Sequence, residues 1–357
     1  MIRPMRVVMT GTGGSAGWPE PDCHCASCAG AARGNARARS TIVVDDILYL
    51  TFAAGGADGG GPLGGGGYRV REVAGGWDVT GPDGRRLLCA GGAGAVPEPP
   101  EDAAPYDYAV LDMLHDPGQL GALRRRGLVT DSTAVALACA DHRAASEREL
   151  AELCGFWRVQ LAGDGDGIKL RRYETKERRV LVVGGARSGK SERAELRVAA
   201  EPDVTYVATG PDGAGDPEWA ARVAAHRARR PAWWRTVETT DLAGLLAGGG
   251  GDGTGTLLID GIGTWLAATM DQCGVWDGTA GAAGRLAAEV AGLVRAWRET
   301  CYRMVAVSDE VGFGLVPETP AGRMFRDELG RLNQYLGRES EMTEFILAGR
   351  VIPLPLW

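Results

Sequence analysis

The segment that most restricts what this 357-residue chain can fold into is "RVLVVGGARSGKSERAELRVAA", residues 179–200. An apolar β-branched run ends in a glycine-rich turn, and the turn ends in Lys-Ser at the head of a helix-forming stretch. The turn satisfies Gly-x-x-x-x-Gly-Lys-Ser in full, and both flanks are those that a phosphate-binding loop needs. Gly184, Gly185 and Gly189 let the backbone turn sharply, and the amides through Ala186, Arg187 and Ser188 can converge on one anion at the positive end of the helix dipole. Lys190 is expected to reach the terminal phosphates of a nucleotide, and Ser191 to offer its hydroxyl to magnesium. Lysine occurs at Lys169, Lys176 and Lys190 only, against abundant arginine. An ammonium kept inside the loop marks a position that needs a compact charge.

Four further apolar runs, at 204–209, 256–260, 303–308 and 344–349, alternate with alanine- and arginine-rich helical patterns. That alternation predicts βαβ units, an α/β fold with a mainly parallel sheet covered by helices. Open parallel sheets bind ligands at the carboxyl ends of their strands, and "TLLIDG" brings Asp260 to such an end as a candidate magnesium partner.

The length predicts two domains. The polar, charged stretch 161–179 is the expected boundary, with one domain at 1–165 and the other at 179–357. Glycine-rich stretches at 53–67, 90–105 and 248–256 read as loops. The net charge of −7 opposes nucleic acid as a partner, because a duplex binder needs a basic face. No apolar run has the length of a membrane span, and the first residues lack the apolar centre of a secretion signal, so a cytoplasmic protein is expected.

His226 is the one histidine after residue 142, in the basic segment "EWAARVAAHRARRPAWWRTVE" (218–238). A neutral imidazole is a competent nucleophile near neutral pH, although a histidine on a basic helix is more often solvated surface. Together "GGARSGKS", "VTYVATG", this segment, "TLLIDGIGTWLAATM", "SDEVGFGLVP" and "GRMFRDELGRLNQ" resemble, in order, the bifunctional adenosylcobinamide kinase and adenosylcobinamide-phosphate guanylyltransferase family. The resemblance covers 179–357 and implies a RecA-like P-loop fold. It also implies two reactions on a small-molecule corrinoid: γ-phosphoryl transfer from GTP or ATP, then transfer of GMP from GTP through a guanylyl-histidine at His226. In this likeness Lys190, Asp260 and magnesium serve the kinase step. Ala208, Thr209 and Gly210 line the nucleotide site, Arg227, Ala228, Arg229 and Arg230 surround guanylate, and Glu238 holds guanine or ribose. A homo-oligomer is expected. Two positions depart from the family: Asp309 stands where asparagine is common, and Gly261 where cysteine is.

"VVMTGTGGSAGWPEPDCHCASC" (7–28) resembles the opening of metallo-β-lactamase-like phosphodiesterases. Their His-x-His-x-Asp-His cluster is absent from this chain, so a degenerate α/β domain of that type is expected. Cys23, Cys25 and Cys28 are spaced for a structural zinc with one distant ligand. His142 is preferred for that ligand over His115 and His24, because it follows an apolar strand and resembles a late histidine of those hydrolases. The rival readings are a metal-dependent phosphodiesterase in the first domain, or a non-enzymatic protein switched by nucleotide.

Overall fold

A computed structural model of the chain describes residues 3–52, 66–73, 75–91, 103–173, 177–210, 221, 224, 227–248 and 255–355. Two compact units result: Met1–Glu174 with Ala199–Pro202, and Thr175–Val198 with Asp203–Trp357. Of the expected loops 53–67, 90–105 and 248–256, residues 53–65, 92–102 and 249–254 lie outside the described residues, while Ala90 ends a strand and Thr256 begins one.

The second unit is built on a seven-stranded sheet. Its strands are β10 (Arg179–Gly184), β11 (Val204–Ala208), β12 (Arg235–Glu238), β13 (Thr256–Asp260), β14 (Arg303–Asp309), β15 (Met342–Leu347) and β16 (Arg350–Pro355), in the order β12-β11-β13-β14-β10-β15-β16. All neighbouring pairs are parallel except the terminal hairpin β15–β16. The five apolar runs of the sequence are β10, β11, β13, β14 and β15. Their unbroken hydrophobicity follows from burial on both faces. Leu181, Val183, Leu257, Ile259, Met304 and Ala306 pack into one core, and the alternating Val180, Val182, Leu258, Val305 and Val307 into another. The two strands that the sequence reading missed are the edges. β12, "RTVE", is exposed throughout, and β16 carries Pro353 and Pro355, so neither has the apolar content that marks a central strand.

β10 lies between β14 and β15, while the chain leaving it runs to β11 on the far side of β13. The strand order therefore reverses at β10, and a crevice opens at the carboxyl ends of such strands. The helix Lys190–Val198 leaves from that point. It is clamped to the sheet by Glu344 of β15, which accepts from Arg193 at 3.0 and 3.1 Å and from Arg197 at 2.6 Å. Glu344 and both arginines are buried. Burial alone pushes the Glu344 carboxyl up, yet hydrogen bonds and charge from Arg193 and Arg197 together hold it below its usual range.

The first unit holds two facing sheets. One is antiparallel, β3 (Leu48–Thr51), β2 (Thr41–Val44), β1 (Val7–Gly11) and β9 (Asp166–Gly167), in that order. The other is mixed, β4 (Arg69–Val73), β5 (Gly76–Thr80), β6 (Arg86–Ala90), β7 (Tyr108–Leu111) and β8 (Ala134–Leu137). Met9, Ile42 and Leu50 from the first meet Val79, Leu87, Val110 and Ala136 from the second in a shared core. Part of the stretch read as a boundary, Asp166–Gly167, pairs with β1, and Ile168 beside it is buried. Among the described residues no helix is long and apolar enough to cross a membrane.

Replacing Glu344 by alanine removes the buried carboxylate that both guanidinium groups share, a change that costs about 3–5 kcal/mol when a buried pair loses one partner. The Glu344→Ala variant should show that loss in denaturant midpoints at neutral pH. Because the folded-state pKa is depressed, the gap from wild type should narrow as pH falls through it. An unchanged midpoint contradicts the clamp.

Candidate functional site

The loop after β10 is shaped by particular glycines. Gly189 has φ +95°, a left-handed conformation that disfavours any side chain, and Arg187 accepts φ +57° beside it. A Cβ on Gly184 would lie 2.5 Å from Ser188 Oγ and 2.8 Å from the Ile346 carbonyl oxygen, so the loop closes over the strand end only without one. A Cβ on Gly185 would meet nothing within 4 Å, and packing does not demand that glycine. Lys190 opens the helix; its Nζ donates to the Gly185 carbonyl at 3.2 Å and lies 2.9 Å from Asp309 Oδ1.

β13 brings Asp260 to the same edge. Its Oδ1 accepts from Ser191 Oγ at 3.4 Å, and its Oδ2 accepts from the Tyr206 hydroxyl at 2.7 Å. Burial, and then the Asp260 carboxylate, push the Tyr206 phenol far above its ordinary range, so Tyr206 stays a donor at any working pH. The Arg230 guanidinium lies 3.4 Å from the centre of the Tyr206 ring. Arg229 is drawn to Glu195 at 3.1 Å, and the hydrogen bond to Glu195 raises its pKa. Two of the basic residues expected around guanylate are thus already oriented by protein groups.

Ser191 Oγ and Asp260 Oδ1 are hard oxygen donors turned to each other. Adjacent ligands on an octahedral magnesium ion, at about 2.0–2.1 Å, stand about 2.9 Å apart, roughly half an ångström less than the 3.4 Å between these oxygens. The pair offers oxygen donors of the kind magnesium takes, 3.4 Å apart, and could hold it.

These groups open into one cavity of about 630 Å³. Of the predicted residues, Ala186, Arg187, Ser188, Gly189, Lys190, Ser191, Ala208, Gly210, Arg227, Arg229, Arg230, Glu238 and Asp260 line it. Thr209 is buried behind the wall instead, donating to the Gly261 carbonyl at 2.5 Å. It packs there against Gly261, where φ is +112° and a Cβ would stand 2.3 Å from Thr264 Oγ1. Glycine is therefore the residue this corner accepts. Gly184 and Gly185 shape or flank the loop without lining the cavity, and Ala228 is exposed away from it. His226 lies outside the described residues; its neighbour Arg227 is on the wall. Sequence reasoning missed Tyr206, Thr236 and Thr264. Tyr206 alternates into a core strand like any aromatic, and its contact with Asp260 crosses between strands.

Residues 180–354 match the family described as cobinamide kinase / cobinamide phosphate guanyltransferase. The bifunctional adenosylcobalamin biosynthesis protein CobP of Pseudomonas aeruginosa is 38% identical over 180 residues, covering 50% of this chain and 96% of the relative. The bifunctional adenosylcobalamin biosynthesis proteins CobU of Escherichia coli and Salmonella typhimurium are 34% and 35% identical over 176 and 185 residues, each match covering 48% of this chain and 96% of the relative. The chain belongs to the cobinamide kinase / cobinamide phosphate guanyltransferase family. It is a bifunctional kinase and guanylyltransferase of cobalamin synthesis, and the family match lies in the half of the chain that carries the cavity.

A second cluster lies in the first unit. The loop leaving β1 is stitched to the chain leaving β8: Gly14 N–H donates to the Ala140 carbonyl, and Ala140 N–H to the Thr12 carbonyl, both at 2.9 Å. Ser27 Oγ donates to the Ala144 carbonyl at 2.6 Å. That stitching brings His142 to the cysteines. The donor atoms of Cys23, Cys25, Cys28 and His142 all lie within 4.8 Å of one another, and these four residues could hold a metal ion. His142 Nδ1 is 3.5 Å from Cys23 Sγ, 3.7 Å from Cys28 Sγ and 3.1 Å from Glu20 Oε2. Burial pushes the Cys28 thiol up to about 11, while the Cys28 backbone N–H lowers Cys25. His24 and His115 join no such group among the described residues.

Removing the Tyr206 hydroxyl leaves Asp260 Oδ2 without this donor. Hydrogen bonds to charged groups are worth about 1.5–3 kcal/mol, so Tyr206→Phe should weaken magnesium-nucleotide binding by roughly tenfold or more in calorimetry. Unchanged affinity contradicts a role in holding Asp260.

Proposed function

We propose that both reactions draw on the one cavity at the carboxyl ends of β10, β11 and β13. The observation that carries this reading is that Lys190, Ser191 and Asp260 face the same space as Arg227, Arg229, Arg230 and Glu238. In the kinase step the acceptor hydroxyl attacks the γ-phosphorus of GTP or ATP. The bond from γ-phosphorus to its bridging oxygen breaks, the nucleoside diphosphate leaves, and the hydroxyl proton passes to solvent. Loop amides and Lys190 bind the phosphates, and Ser191 and Asp260 hold magnesium. Magnesium, when bound, neutralises charge on the phosphates in transit.

In the second step a His226 ring nitrogen attacks the α-phosphorus of GTP, forming a P–N bond as pyrophosphate departs. A phosphate oxygen of the corrinoid then attacks the same phosphorus, the P–N bond breaks, and the imidazole is regenerated. The support for His226 is its place one residue before Arg227 and the resemblance of its segment to the family. Arg227 and Arg230 supply cationic charge beside the departing pyrophosphate, and Glu238, at the end of the edge strand, would accept from guanine or ribose.

The Cys23, Cys25, Cys28 and His142 group is proposed to hold a structural zinc. Tetrahedral zinc with Zn–S of about 2.3 Å and Zn–N of about 2.0–2.1 Å spaces its ligands by about 3.5–3.8 Å. The 3.5 and 3.7 Å separations at His142 Nδ1 support that fit. The two facing sheets and this cluster favour a degenerate metallo-β-lactamase-like domain. Buried Asp112 accepts from the Arg143 guanidinium at 3.1 Å and from the His115 backbone N–H at 3.1 Å.

GTP labelled at the α- or γ-phosphate separates the two steps. His226→Ala should abolish protein-bound α-label and retain transfer of γ-label to adenosylcobinamide; a persistent acid-labile α-label overturns the nucleophile. Lys190→Ala should lose both, and undiminished kinase turnover contradicts its phosphate role. Metal analysis should find one zinc per chain, lost in Cys28→Ser; full zinc retention in that variant rejects the site.

A further inference from the structure

Asp309 lines the cavity proposed to bind nucleotide, and neither the kinase step nor the guanylyl step described above uses it. It ends β14, and its backbone is held from several sides. It pairs opposite Gly184 in the parallel ladder, the next residue's N–H donates to the Gly184 carbonyl at 3.0 Å, and Asn333 Nδ2 donates to the Asp309 carbonyl at 3.0 Å. Its side chain has a fixed berth as well. Oδ1 lies 2.9 Å from Lys190 Nζ, and Oδ2 stands 2.9 Å from where a Cβ on Gly263 would be, over the first turn of the helix Ile262–Gln272. The carboxylate is 41% exposed and lines the cavity, whereas the Lys190 side chain is 14% exposed. The Asp309 carboxylate thus pairs with the Lys190 ammonium, and Asp260 on the neighbouring strand adds a second carboxylate to the same wall.

A metal-free nucleoside triphosphate is a dense anion. To reach Lys190 it must break the ion pair and then remain beside the released carboxylate, so it meets repulsion where a phosphate-binding loop normally offers attraction. The magnesium complex meets the opposite balance: Asp309, once released, is attracted to the divalent charge held by Ser191 and Asp260. We propose that Asp309 is a specificity-determining carboxylate that makes nucleotide binding depend on magnesium, admitting the metal complex and rejecting the bare triphosphate.

The proposal rests on Lys190, Ser191 and Asp260 being the nucleotide and magnesium site. It is tested by calorimetric binding of the αβ-methylene analogue of GTP, which cannot release pyrophosphate, to the full chain with excess magnesium and with excess EDTA. For Asp309→Asn the metal-free analogue should bind about tenfold tighter than to wild type, while the magnesium complex binds no tighter, so the ratio of the two affinities collapses. Structural damage would weaken both forms together. Asp309→Glu, which restores the charge, should keep most of the wild-type ratio, and Asp309→Ala provides the same comparison should the asparagine variant fail to fold. A wild-type ratio in Asp309→Asn or Asp309→Ala overturns the proposal. If instead Lys190→Ala binds the magnesium complex as wild type does, the underlying assignment of the site has failed, and the two failures are distinguishable.

Discussion

The ammonium of Lys190 is the charge around which the second unit is arranged. It stands where a central parallel strand ends and a helix begins, so loop amides, a helix dipole and a side chain all present positive charge to one point. Such a concentration persists in a folded chain only if something answers it. Asp309 and the Gly185 carbonyl do so here. The surrounding packing keeps the parts in register. Glu344 ties the helix to β15, Tyr206 holds Asp260, and Gly261 gives the chain room to turn behind Thr209 and Thr264.

Much of this was legible in the sequence because it rests on local pattern. A strand buried on both faces shows as a continuous apolar run, and the phosphate loop states its geometry through residue type and spacing. The edge strands were not legible: β12 is four exposed residues and β16 contains two prolines, and each exists because a neighbour offers hydrogen bonds. Within the site, most residues that the family reading assigns to ligand line the cavity, whereas the residues that hold them were not legible. Thr209 illustrates the difference. Its neighbours Ala208 and Gly210 line the cavity while its own side chain is turned inward to support Gly261.

The first unit shows the limit of local pattern from the other side. Three cysteines within six residues announced a ligand set, but the fourth member is 114 residues further on and arrives only because the chain after β8 is hydrogen-bonded to the loop after β1. Spacing pointed to a candidate metal ligand set there, and topology brings the fourth residue to it. Asp112 and Arg143 show the converse, a buried carboxylate answered by a guanidinium from a segment near in space and distant in sequence.

Under the proposal that one cavity serves both phosphorus chemistries, the same bound triphosphate would be open to attack at either end, by a corrinoid hydroxyl at γ or by an imidazole at α. The most direct measurement is peptide-resolved mass spectrometry of the full chain after incubation with magnesium and GTP, before corrinoid phosphate is added and after. The account predicts one GMP mass on the peptide containing His226, discharged when corrinoid phosphate is supplied. A GMP mass on any other residue, or guanylyl transfer to corrinoid with no protein adduct at any time, would contradict it.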